Sequence, residues 1–257
     1  MMSSVHSRID AGVLHVFINR PEKRNALSME TLDAIAAAFD EAADIADLRL
    51  AILRGAGEKS FAAGGDLQEL AFVIGQEAAV AMATRAKRAL NSVCNFPLPV
   101  IAALNGDALG GGAELALACD MRVAASNARF GFIHGKLGIT SAWGGGFELM
   151  RLVGTANALQ MMTRMETLDP AQATALGLYN AVAEAGTSLD TALEVFMAPM
   201  LEQSPHVMRS FKSMALRMRN HDRDEMDHLE TRNFGYAWAH PDHDHAVKRL
   251  LNKMRAR

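Results

Sequence analysis

The sequence predicts an α/β fold. Apolar runs of strand length alternate with longer segments of helical periodicity, two of those runs lead into glycine-rich turns, and the last quarter of the chain carries helical patterns alone.

Taken in order, residues 13–18 read as a strand, and a helix follows over 28–45. Ser28 stands at its N-cap, and Leu32, Ile35 and Phe39 recur on one face. Residues 48–54 alternate as a strand with Leu48, Leu50 and Ile52 on one side, then enter a glycine-rich stretch that ends near Leu67. A helix is predicted over 77–94. The uninterrupted apolar run 100–104 reads as a buried strand, 113–119 as a buried helix whose apolar body is 115–119, and 121–124 as a further strand. Asp169 followed by Pro170 is a cap with a first-position proline. From Thr187 onward the chain reads as helices, punctuated by Ser204-Pro205 and Pro241. Residues 1–186 are therefore expected to form the α/β core and 187–257 a helical region used for self-association.

The whole chain excludes several function classes. Its 257 residues are enough for one large domain burying about 70–75% of its unfolded surface, with no need of a disulfide or metal staple. Cys94 and Cys119 lie in apolar segments and residues 1–10 lack a secretory pattern, so a reduced, cytoplasmic protein is expected. No apolar run is long enough to span a bilayer, and the net charge of −3 gives no general pull toward nucleic acid or anionic membrane. The expected partner is a small molecule. Three histidines and two aspartates crowd residues 240–245 without the spacing of a zinc site. They are expected to be water-facing residues at a helix start, with Asp242 near the cap and no metal bound. The basic stretch 209–219 reads as a solvated helix face, and the 16 methionines as fillers of irregular core gaps, a few of them lining an acyl pocket.

The chemistry concentrates at the two glycine turns. Gly110, Gly111 and Gly112 stand where strand gives way to helix, so unpaired N–H groups and the positive dipole end face whatever lies above them. Glu114 falls within the first turn of that helix. The spacing is neither G-x-G-x-x-G nor a phosphate loop, which argues against a nucleotide. Gly64 and Gly65 supply the second turn, and two convergent backbone donors are the minimum for an oxyanion hole.

Four ordered segments, 19–28, 60–67, 105–120 and 128–146, resemble the crotonase (enoyl-CoA hydratase/isomerase) superfamily, and the likeness spans nearly the whole chain. The resemblance implies a spiral of repeated β-β-α units with a helical C-terminal region, assembled as trimers or dimers of trimers. It implies that Gly65 and Gly111 donate the oxyanion-hole N–H groups and that Glu114 is the first of two catalytic carboxylates. It places Lys23 and Arg24 at the phosphates of coenzyme A, and Ala63, Asp66 and Leu67 along its adenine and thioester. Coenzyme A enters as part of the substrate, with no separate cofactor.

One departure bears on the reaction. Where hydratases carry a second glutamate, this chain has His134. Ser141 and Ala142 replace a family Pro-Gly, and Trp143 precedes Gly144, Gly145 and Gly146, a pattern similar to the branch containing ethylmalonyl-CoA decarboxylases. With Glu114 alone, water addition loses an acid–base partner of the kind worth about 10²–10⁴-fold. Loss of CO₂ from a 2-carboxyacyl-CoA yields the same enolate without a base. Decarboxylation is therefore the favoured expectation, with hydration or isomerisation of an enoyl-CoA in fatty-acid degradation as the alternative. Two further alternatives are a non-catalytic CoA-binding scaffold and a His134 that is a buried structural residue hydrogen-bonded to a carbonyl.

Overall fold

Strands β1 (Val5–Asp10) and β2 (Val13–Ile18) form a hairpin whose two-residue turn, Ala11-Gly12, has positive φ at both positions, as a tight turn matching strand twist requires. The computed structural model describes residues 3–255. Helix α1 (Met29–Ala42) starts where the Ser28 hydroxyl accepts the Thr31 N–H, so the predicted cap is present. The chain continues through β3 (Leu50–Gly55), β4 (Ser60–Ala62), a single turn α2 (Leu67–Leu70), and the long α3 (Gly75–Cys94). Then come β5 (Val100–Leu104), β6 (Asp107–Leu109), α4 (Gly111–Ala118), β7 (Met121–Ala124) and β8 (Phe130–Gly131). After a 3₁₀ turn (His134–Leu137) follow α5 (Gly145–Val153), α6 (Thr155–Arg164), β9 (Thr167–Leu168), α7 (Pro170–Ala175) and β10 (Ala181–Val182). Four helices close the chain: α8 (Leu189–Leu201), α9 (Pro205–Arg219), α10 (Arg223–Ala239) and α11 (Pro241–Arg255).

The strands sort into two sheets. The larger runs β1-β2-β3-β5-β7-β10, and the smaller runs β4-β6-β8-β9. Each of β3, β5 and β7 in the large sheet is followed by a partner, β4, β6 or β8, in the small one. Both triplets pair in parallel. This is the β-β-α spiral implied by the resemblance, and it aligns the C-terminal ends of β4, β6 and β8.

Burial on both faces explains the nearly continuous apolar runs of the large sheet. Val13, Leu50, Ile52, Ile101, Ala103 and Val123 face α8 through Leu189, Leu193 and Met197. Leu14, Ala51, Leu53, Val100 and Ala102 face the main core, together with α1 and α3. Leu48 departs from its expected side: it precedes β3 and packs in the main core, away from Leu50 and Ile52.

Two expectations for the C-terminal part need correction. The 209–219 face is not simply solvated, because Lys212 is buried with its ammonium 2.5 Å from Asp120, and Arg219 pairs with Glu148 at 3.1 Å. His243 is buried as well, its Nδ1 lying 2.7 Å from the Leu137 carbonyl. Asp242 lies in the first turn of α11, near the cap as expected. Helical character after residue 187 is as expected, but α10 lies along α3 and joins the core. Among the described residues, no helix is long and apolar enough to cross a membrane, and no group of three or more His, Cys, Asp or Glu is placed to hold a metal ion.

Candidate active site

Adjacent strand ends build the site. Because β4 pairs with β6 in parallel, the turn after each lands beside the other: a Cβ on Gly64 would stand 3.2 Å from the Leu109 carbonyl oxygen and 3.6 Å from the Gly111 nitrogen. Gly65 and Gly111 thus lie side by side. Neither N–H donates a hydrogen bond among the described residues. Gly111 opens helix α4, where free N–H groups and the dipole reinforce one another. Glycine is required there by close approach, since an added Cβ would lie 2.3 Å from the Trp143 ring. The same indole reaches 3.6 Å from where a Gly65 Cβ would be.

Strand β8, the next neighbour of β6, delivers His134 at the start of its 3₁₀ turn. The imidazole Nε2 is 2.9 Å from Glu114 Oε2. Glu114 is almost wholly enclosed, and its Oε1 accepts the N–H groups of Ala142 (3.2 Å), Trp143 (2.9 Å) and Gly145 (3.2 Å). One oxygen is thereby committed to the backbone and the other to His134. With side-chain exposures of 12% and 2%, His134 is the member of the pair that reaches the open side.

The residues expected along coenzyme A gather at one rim. Asp66 caps α2 through the Gln68 N–H and pairs with Arg20 at 2.7 Å and Lys23 at 3.4 Å. Burial pushes its carboxyl up, but the Arg20 hydrogen bond, the Gln68 N–H and the charges of Arg20 and Lys23 outweigh it and hold the group below its ordinary value. Lys23 and Arg24 are exposed, the Arg24 carbonyl accepts the Ala63 N–H at 3.1 Å, and Leu67 opens α2 next to Gly65. Buried Asn25 and Asn105 lace this rim together, both donating to the Ser60 carbonyl.

Two site neighbours carried no signal in the sequence. Glu230 of α10 accepts from the Ser141 hydroxyl (2.8 Å), the Gly144 N–H (2.7 Å) and the Gly146 N–H (3.1 Å). Lys87 of α3 lies 3.2 Å from the same carboxylate. Both are buried.

Known proteins resemble this chain over nearly its whole length. A family model described as enoyl-CoA hydratase/isomerase covers residues 8–257. The chain is 31% identical over 252 residues to a probable enoyl-CoA hydratase of Bacillus subtilis, covering 98% of this chain and 97% of that one. It is 35% identical over 241 residues to a short-chain-enoyl-CoA hydratase of Clostridium acetobutylicum, covering 93% and 90%. The crystal structure of an enoyl-CoA hydratase/isomerase from Xanthobacter autotrophicus superposes with a TM-score of 0.88 at 27% identity, over 96% of this chain and 93% of that one. Spiral topology, paired glycine turns and full-length similarity agree: the chain belongs to the enoyl-CoA hydratase/isomerase family.

Proposed function

We propose that this protein is an enoyl-CoA hydratase or isomerase that works through an enolate held at Gly65 and Gly111. The observation that carries the reading is the placement of two uncommitted backbone N–H groups at adjacent strand ends, with a hydrogen-bonded Glu114–His134 pair beside them. A thioester carbonyl oxygen lying between the two donors gains negative charge as the enolate forms, and preorganised donors stabilise that charge without reorganising. No group beyond the coenzyme A thioester is needed.

His134 and Glu114 divide the proton traffic. Glu114 is fixed by three N–H groups and orients the imidazole, while His134 exchanges a proton with water or with the substrate α-carbon. This pair reverses the order of the expectations drawn from sequence. The sequence favours decarboxylation on the ground that Glu114 stands alone, and at 2.9 Å from His134 it does not. The full-length relatives named as hydratases support the same order. Lys23 and Arg24 meet the phosphates in this reading, and Ala63, Asp66 and Leu67 flank the adenine and the thioester.

A second reading rests on one observation: an imidazole replaces a carboxylate, which removes one charge that would repel the carboxylate of a 2-carboxyacyl-CoA. The deciding experiment assays crotonyl-CoA, ethylmalonyl-CoA and methylmalonyl-CoA side by side. Hydration of crotonyl-CoA without CO₂ release supports the hydratase reading, and CO₂ release without hydration replaces it with decarboxylation. Tight CoA binding with no turnover of any of the three leaves a binding scaffold.

A further inference from the structure

Six consecutive residues, Ser141 to Gly146, form the loop that carries Trp143 into the site together with the start of α5, and two carboxylates hold this segment. Glu114 takes the N–H groups of 142, 143 and 145; Glu230 takes the 141 hydroxyl and the N–H groups of 144 and 146. The donors interleave, so neither carboxylate can shift without dragging the other's ligands. The glycines are needed for this interlock: a Cβ on Gly145 would stand 2.5 Å from Glu114 Cγ, and one on Gly146 would stand 2.9 Å from Glu230 Oε1.

We propose that Glu230 is a positioning residue, which acts through the 141–146 loop to fix the Glu114 carboxylate and the Trp143 indole, so that docking of helix α10 completes the active site. Burying a second carboxylate near the first is costly unless it is compensated. Lys87 supplies the compensation from α3, and it also bonds the Asp227 carbonyl and the Thr231 hydroxyl at 2.9 and 3.0 Å, which ties α10 to α3. Burial and the Glu114 charge still hold the Glu230 carboxyl above the usual carboxylate range, against the pull of Lys87 and the Ser141 hydroxyl. Its hydrogen bonds all go to the loop that also ligates Glu114, apart from the one ion pair with Lys87.

The test uses the full-length chain labelled with 5-fluorotryptophan. Its two tryptophans give two ¹⁹F resonances, and Trp238→Phe assigns that of Trp143. Glu230→Ala is expected to displace and broaden the Trp143 resonance and to lower kcat for the assayed thioester by about 10²-fold, the loss a misplacement of roughly 1 Å can cause, with KM little changed. Glu230→Gln keeps an acceptor for Ser141 and Gly146 and is expected to fall between wild type and Ala. The turnover arm rests on the proposed function; the resonance arm does not. A wild-type protein inactive on every thioester removes that function and leaves the resonance to decide. If Glu230→Ala fails to fold, Glu230→Gln and Lys87→Met take its place. Folded variants with an unmoved Trp143 resonance and a lowered melting temperature reduce Glu230 to a stabilising tie and overturn the proposal.

Discussion

His134 Nε2 and Glu114 Oε2 lie 2.9 Å apart, while the other oxygen of Glu114 is fully occupied by backbone donors. Groups that act as one device are not additive when removed. Glu114→Gln and His134→Ala are each expected to lower enoyl-CoA hydration by about 10²–10⁴-fold, and the double variant is expected to be no worse than either single one. Steady-state kinetics on crotonyl-CoA checks this. Full activity in either single variant would make that residue structural.

His134→Glu separates the two reaction readings. It restores a second carboxylate against the first, and is expected to preserve or raise hydration while depressing any CO₂ release from ethylmalonyl-CoA. The ratio of the two activities in wild type and variant is the readout. A variant that loses hydration and gains CO₂ release contradicts the account of the pair.

Gly65→Pro deletes a single donor. The neighbouring Leu27–Gly64 and Asp66–Leu27 bonds do not use the Gly65 N–H, so the local bridge is expected to survive. Where circular dichroism finds the fold intact, turnover should drop by about 10²–10³-fold, the usual loss for one oxyanion donor. Unchanged turnover rejects the assignment.

Asp66 gives an acid-limb prediction. Its folded carboxyl is held below the ordinary 3.8, so ionised Asp66 contributes stability above that value and loses it as the pH falls through the folded one. Asp66→Asn is expected to lower the melting temperature at pH 7 and to flatten its decline on acidification below pH 3.8. Thermal melts from pH 7 downward test it, and parallel curves for the two proteins would remove Asp66 from the acid response.

On α9, Phe211, Met214 and Met218 recur at helical spacing with exposures of 61%, 68% and 77%. That stripe fits self-association through the C-terminal helices. Phe211→Lys combined with Met218→Lys is expected to lower the mass found by light scattering, and a dilute, active monomer of the unaltered chain would contradict this.

Much of this architecture was legible from local chemistry. The Ser28 cap, the buried run 100–104 and the glycine turn before Glu114 each depend on neighbours within a few residues, and each stands where the sequence places it. The small sheet was not legible, because strands of two or three residues such as β8 and β9 are too short to express a period. Glu230 and Lys87 escaped for another reason. The region from residue 187 onward reads only as helices, and the burial of Glu230 depends on partners 84 or more residues away. His134 stood out only as a substitution against a family pattern, and only geometry joined it to Glu114.

The reach from Glu230 back to Gly144 spans 86 positions along the chain. During synthesis, a nascent chain that has exposed both glycine turns, Glu114 and His134 still lacks the acceptor for the Ser141 hydroxyl and for the Gly144 and Gly146 N–H groups. Its β-β-α turns can form in order as they emerge, each resting on the last. The loop beside the hole gains its second anchor only when α10 has left the ribosome, so a segment made late times the maturation of a centre encoded well before it.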